Sequence, residues 1–283
     1  MKKDKFLLGL VSTALIFSQQ VVAEDWFMKT PLAATYSALS TGNTQLAWQE
    51  MLIALSQNSL DEKHWAKPKE VMINQSQCGK QLIPDHPINH NSHIRITIQK
   101  KTNFIQQGYQ IKVSLDGVEN SVSISLRDRH GRVWISGTTS DPVQSYTELE
   151  SDDLVYAPTS GYYQLIVDKA VYPIILSSND AQAWVNVDHS DPSLPIRIRL
   201  PETPVSCQVG NMRWQWFDNQ FVMLGNSQPI YLNAPSVDSN GFAKALEPES
   251  TKYQAKWLSA VVSKWEYQGT VKIEYVQRTT LPL

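Results

Sequence analysis

The chain has 283 residues and a mass of 32.0 kDa, with 25 Lys plus Arg against 27 Asp plus Glu, 42% hydrophobic residues and two Cys. This balance argues against a polybasic nucleic-acid binder, a collagen-like repeat, an intrinsically disordered chain and a disulfide-stapled miniprotein.

The N-terminus reads as a secretory signal peptide over residues 1–23. A basic start, Met1-Lys2-Lys3-Asp4-Lys5, precedes an apolar run from Phe6 to Phe17. Val21 and Ala23 suit a signal-peptidase pocket and place cleavage between Ala23 and Glu24. An uncleaved anchor is the alternative, although the run is short for a bilayer span. Export to a bacterial periplasm follows. No later run is long and apolar enough to predict a transmembrane segment in the mature chain, and its mildly acidic balance gives no reason to expect nucleic acid as a partner.

Residues 24–77 read as an N-terminal helical segment, with a helical period from Thr30 to about Pro68. Trp48, Met51, Leu52 and Leu55 recur at i, i+3, i+4 and i+7, with Asn43 or Thr44 able to cap the helix start. A shorter helix is expected over Leu32 to Leu39, and a third over Leu60 to Trp65, ending before Pro68. A helical hairpin of this size cannot bury its own stripe, so Trp48 and Leu52 must dock on something else. Residues 78–92 read as a connector. It opens with Cys78, which in an oxidising compartment is expected to pair with Cys207, the only other thiol. A redox-active pair is the weaker alternative, because C-x-x-C spacing is missing.

From His93 the period becomes two. Ile94, Ile96 and Ile98 alternate with polar residues, as do Ile111, Val113 and Leu115, and Val122-Ser123-Ile124-Ser125-Leu126 repeats the scheme. Short strands separated by turn residues predict an antiparallel, Ig-like β-sandwich over 93–189. One member of the Tyr162-Tyr163 pair is expected to be a buried anchor near a corner. After a linker at 190–195, the pattern looks repeated over 196–283. Ile196 to Leu200 matches Ile94 to Ile98, Gly210 with Met212 to Trp216 matches Gly108 with Ile111 to Leu115, and Gly269 to Tyr275 echoes Gly161 to Val167. The predicted fold is therefore mainly β: an N-terminal helical hairpin followed by two tandem antiparallel sandwiches. Tyr253 to Tyr267 fits both a helical face and a long strand, with strand preferred for its Val261-Val262 pair and the Tyr267-Gln268-Gly269-Thr270 turn.

Candidate chemistry is sparse. His86, His90 and His93 form the sharpest cluster and could in principle surround a metal ion, but Pro87 and the Asn-rich setting favour a solvated hinge. No Gly-x-Ser-x-Gly, His-Glu-x-x-His or supported Ser-x-x-Lys pattern marks a hydrolase. Asp152-Asp153 and Glu148 with Glu150 read as solvated loop charge rather than a glycosidase pair. No cofactor is expected. Trp214 and Trp216 share one face of a strand and would offer a sugar-stacking platform if that face were outward, or core if inward.

The export signal, the Trp48-Gln49-Glu50-Met51-Leu52-Ile53-Ala54-Leu55-Ser56 segment and the two Ile-Arg-Ile strands together resemble an exported family of Vibrio-type bacteria, domain of unknown function 2861. The resemblance implies a periplasmic protein whose gene can accompany a two-component system responding to cell-wall damage. It brings no site residues with it. The expected function is that of a non-enzymatic periplasmic protein acting by contact with an envelope protein or cell-wall polymer. Alternatives are a carbohydrate or peptidoglycan-fragment binding module and an unrecognised hydrolase.

Overall fold

The computed structural model describes residues 30–83, 93–103, 106–178, 182–188, 196–233, 237–248 and 254–283. The expected signal peptide with its Ala23–Glu24 cleavage site, the linker at 190–195, and His86 and His90 all lie outside these residues.

Three helices open the described chain: α1 (Ala33–Ser40), α2 (Thr44–Gln57) and α3 (Glu62–Gln75). The Asn43 side chain caps α2 by accepting the Leu46 N–H at 3.1 Å, and Asp61 caps α3 by accepting the Lys63 N–H at 3.1 Å. The α2 stripe buries Trp48, Met51 and Leu55 as its spacing predicts, with Leu52 at its margin. The third helix does not stop before Pro68 but runs through it. A proline at this point removes one hydrogen bond and costs about 3 kcal/mol. That cost is offset because Trp65, Pro68, Met72 and Ile73 form a buried stripe on the same helix.

Fifteen strands follow among the described residues. They are β1 (His93–Thr102), β2 (Gln107–Asp116), β3 (Ser123–Asp128), β4 (Val133–Thr138), β5 (Tyr146–Glu150), β6 (Gly161–Val167), β7 (Ala170–Leu176), β8 (Val185–Val187), β9 (Ile196–Ile198), β10 (Asn211–Phe217), β11 (Gln228–Pro229), β12 (Leu232–Asn233), β13 (Ala243–Ala245), β14 (Trp257–Gln268) and β15 (Val271–Pro282). The ambiguous stretch is strand from Trp257 onward. Tyr163 is the buried corner anchor, its hydroxyl donating to the Thr159 carbonyl at 2.7 Å.

Strand pairing departs from the expected tandem sandwiches. A seven-stranded sheet has the order β11-β10-β14-β15-β1-β2-β5, and two four-stranded sheets have the orders β12-β13-β9-β8 and β4-β3-β6-β7. Strand β1, which would have been an edge of the first sandwich, pairs in parallel with β15, the last strand of the chain, from Ile94↔Val271 to Thr102↔Thr279. An unpaired edge leaves a row of N–H and C=O groups open, and joining the two edges satisfies both. The large sheet is thus common to both halves. Its alternate residues Ile96, Ile111, Trp216, Ala260 and Ile273 face one hydrophobic core, which also takes Leu126 and Leu165 from one small sheet and Ile198 and Ala245 from the other.

The apparent repeat is not carried into the pairing. Strands β1 and β2 are neighbours, whereas β9 lies between β13 and β8, and β10 between β11 and β14. Likewise β6 pairs with β3 and β7, while β15 pairs with β14 and β1. Matching alternation reflects a shared requirement for one buried face, not a shared place in the fold.

The helical layer has its own core. Trp48, Met51, Trp65 and Met72 pack with Ile175 of β7, and with Tyr162 and Tyr267 at the margin. Cys78 and Cys207 belong to this core and are disulfide-bonded, closing a sequence separation of 129 residues. In the chain-entropy model such a closure restrains the unfolded chain by about 5 kcal/mol. The bond fixes the end of α3 beside the β14–β15 turn, where Tyr267 N–H donates to the Cys78 carbonyl at 2.9 Å and Gly269 N–H to the Gly79 carbonyl at 3.1 Å.

Candidate binding cleft at the seam of the large sheet

The face of the seven-stranded sheet opposite the core is polar over much of its width. Where β1 and β15 run side by side, every second residue points outward, which places Lys101 next to Arg278 in the register. Beyond Arg278 the same face carries Thr280 and Pro282 on β15, Ser259 and Trp257 on β14, and Gln215 and Phe217 on β10. These residues, except Gln215, line a cleft of about 690 Å³, lined also by Asn103, Gln106, Asp153, Leu154 and Val155. The cleft draws on both ends of the sequence because β1 and β15 are paired.

Arg278 forms the floor. Its Nη2 donates to the Gln215 side-chain oxygen, and the guanidinium lies 5.0 Å from the centre of the Phe217 ring. Its Nε is buried without a hydrogen-bond partner, and no carboxylate among the described residues forms an ion pair with it. Burial, reinforced by the neighbouring Arg213 charge, pulls its pKa down to about 10, which leaves it a cation at neutral pH. Lys101 is different: its ammonium is paired with Asp153 at 2.8 Å. The two hydroxyls on the floor share one hydrogen bond, Ser259 Oγ lying 2.7 Å from Thr280 Oγ1.

One wall is aromatic. Phe221 stacks on Trp257 with ring centroids 5.0 Å apart and planes 19° from parallel. Phe221 sits at the end of a tight turn in which Asp218 Oδ1 accepts the N–H groups of Gln220 at 2.8 Å and Val222 at 2.9 Å. Its φ is +61°, a left-handed conformation uncommon for a bulky side chain and costing about 1–3 kcal/mol. The turn therefore holds a ring that is 59% exposed against the cleft wall at a conformational cost.

The residues singled out by spacing fall elsewhere. Trp214 and Trp216 are 1% and 0% exposed, on the core face of β10, so neither presents a ring to solvent; burial of this face on β1, β2, β10, β14 and β15 decides between the two readings. His93 begins β1, exposed and opposite Asp116 in the register. Among the described residues, no three His, Cys, Asp or Glu side chains gather as a metal site. Glu148 and Glu150 lie on β5 beside Lys112, which pairs with both. Burial raises the Glu150 carboxyl, but the hydrogen bonds with Lys112 and Glu148 and the charges of Lys112 and Lys101 together outweigh it and hold the pKa below the ordinary carboxylate range. Asp153 contributes to the cleft rim, whereas Asp152 is exposed on the same loop.

Sequence patterning did not reveal the cleft. Arg278 looks like any outward position in an alternating strand, and its lack of a counter-ion is a tertiary property. The one local signal was the exposed Phe221-Val222-Met223 run beside the turn-forming Asp218-Asn219-Gln220.

A family model described as a protein of unknown function, DUF2861, matches residues 26–283, and the chain belongs to that family. No curated protein matches it. No helix among the described residues is long and apolar enough to cross a membrane.

Proposed function

We propose that this is an exported, non-enzymatic binding protein of the bacterial envelope, which engages its partner through the cleft on the outer face of the large sheet. The observation that carries this reading is Arg278, a partly buried cation that contacts a neutral amide and a ring face, has a second cation, Arg213, nearby and no carboxylate partner among the described residues, beneath an aromatic wall. Such a combination of apolar body and a few fixed polar groups is the usual make-up of a binding site. The disulfide suits an oxidising compartment, and a periplasmic location follows from the signal-like N-terminus. Contact with cell-wall material, in keeping with a role in wall-stress signalling, is the physiological setting we favour.

Carbohydrate or peptidoglycan-fragment recognition is a second reading, favoured by the Phe221–Trp257 wall, whose accessible ring could receive the apolar face of a sugar. Both readings use the same cleft and differ in what fills it.

In-cell photocrosslinking tests the proposal. A photoreactive residue at Gln107 or Val155, both on the exposed rim, should give a discrete adduct that disappears when Arg278→Gln is added, while the same probe at exposed Val71 on α3 gives none. Equal yields from the rim and from Val71, or an adduct indifferent to Arg278→Gln, would refute it.

A further inference from the structure

We infer that the cleft recognises a small monocarboxylate with a planar or apolar body, its carboxylate held by Arg278 and its body laid along Phe221 and Trp257. This deepens the proposed function and rests on it.

The charge inside the cleft sets the sign and number. Among the described residues, the charged side chains that line it are Lys101, Asp153 and Arg278. Lys101 and Asp153 cancel each other at 2.8 Å, so the one uncompensated charge on the lining is the Arg278 guanidinium, with the Arg213 charge next along the same face but outside the lining. A phosphate ester would carry close to two negative charges and is usually met by several cations or a nest of backbone N–H groups. A carboxylate carries one, and its two oxygens match the planar fork of an arginine.

The shape of the site sets the rest of the ligand. Phe217 and Gln215 hold the guanidinium from behind and from one side, which pre-orients it before anything binds. Leu154, Val155 and Pro282 add apolar surface to the aromatic wall. The 690 Å³ volume falls within the range of sites for small organic molecules. Ser259 and Thr280 share one hydrogen bond, which leaves them a single neutral hydroxyl hydrogen to offer, so the anion that meets the guanidinium is the dominant polar requirement. A short peptide ending in a free carboxyl group, or an aromatic or acylated amino acid, has this chemistry.

Isothermal titration calorimetry on the purified, disulfide-bonded protein tests the assignment with three probes sharing one ring: N-acetylphenylalanine, its neutral primary amide, and phenyl phosphate. The carboxylate should bind, and the amide should bind at least about tenfold more weakly, because a charge-assisted pair is lost. Arg278→Gln should weaken the carboxylate to the level of the amide, and Arg278→Lys should recover only part of the loss, since it restores the charge without the fork. Phe221→Ala, at an exposed turn position, keeps the test independent of the sheet: it should weaken N-acetylphenylalanine severalfold and leave the urea midpoint unchanged. Equal binding of acid and amide, no binding of the acid at millimolar concentration, tighter binding of phenyl phosphate, or an Arg278→Gln protein that binds as well as the parent would each overturn the inference. If calorimetry fails while rim crosslinking still depends on Arg278, the ligand class is wrong and the cleft remains the contact site; if both fail, the cleft is not the site.

Discussion

Lys69 offers a quantitative test of how the helical layer is attached to the sheet. It lies on α3 with its side chain 4% exposed, and its ammonium contacts Glu266 Oε1 on β14 at 2.5 Å and Ser177 Oγ at 2.9 Å. Glu266 has one other described hydrogen bond, from Gln268 Nε2 at 3.0 Å, and its side chain is 15% exposed. Replacing Lys69 by Met keeps the length and removes the charge, leaving a largely enclosed carboxylate with a single amide donor and the Lys264 charge nearby. Loss of one member of a buried pair costs about 3–5 kcal/mol. The residual exposure of Glu266 lets water reach it and puts the expected value near the lower end, about 3 kcal/mol. Replacing both residues, Lys69→Met with Glu266→Met, removes the stranded charge, and Gln268 Nε2 still donates to the Ile175 carbonyl at 2.7 Å. The double variant should therefore lie within about 1 kcal/mol of the parent. Urea unfolding with the disulfide intact gives all four corners of the cycle. A double variant as unstable as the sum of the two single variants would mean that the pair is not coupled, and that the helical layer is held by apolar packing alone.

Other substitutions probe separate parts of the fold. Trp214→Ala should cost about 3–5 kcal/mol in urea unfolding, because it empties a core site; a protein of parental stability would show that the ring is not core. Gly79 has φ +87°, and a Cβ added there would meet the Tyr267 carbonyl oxygen at 1.8 Å, so Gly79→Ala should destabilise by about 4 kcal/mol, read as a lower urea midpoint. Burial raises the Tyr163 hydroxyl to about 12 in the folded protein against about 10 unfolded, so its protonated form favours folding. That contribution is complete below pH 10 and is lost between about pH 10 and 12. Tyr163→Phe should consequently flatten the decline in stability across that window, and an unchanged alkaline slope in the variant would count against this account of Tyr163.

How far the sequence could be read depended on whether a feature is local. The Trp48 stripe and the alternation of β1 and β2 follow from spacing over a few residues and stand in the structure, whereas spacing left the choices between Asn43 and Thr44 as cap, between Tyr162 and Tyr163 as anchor, and between strand and helix for β14 to be decided by the structure. The disulfide was readable from the thiol count and the inferred compartment. Pro68 misled because local propensity argues for a helix end there, whereas burial of Trp65, Met72 and Ile73 carries α3 onward. The parallel β1–β15 pairing joins residues nearly 180 positions apart and leaves no periodic trace, so the sequence suggested two sandwiches where one sheet crosses both halves. The cleft was hidden for a related reason: the β10–β14–β15 pairing brings Phe217, Trp257 and Arg278 together, and Lys101 joins them only through the β1–β15 pairing. Trp214 and Trp216 could be placed together on a face by spacing, but which face is buried depends on the small sheets packed against it.

The seam itself is open to direct measurement by native-state hydrogen exchange in low denaturant, following the amides of Ile96 and Ile98 in β1 together with Ile273 and Tyr275 in β15. A continuous sheet requires these amides, and those of β2 and β14 on either side, to exchange through one opening reaction with a common free energy and a common denaturant dependence. Two distinct opening free energies, one shared by β1 and β2 and another by β14 and β15, would mean two bodies that merely touch, and the cleft between them would not be a built site.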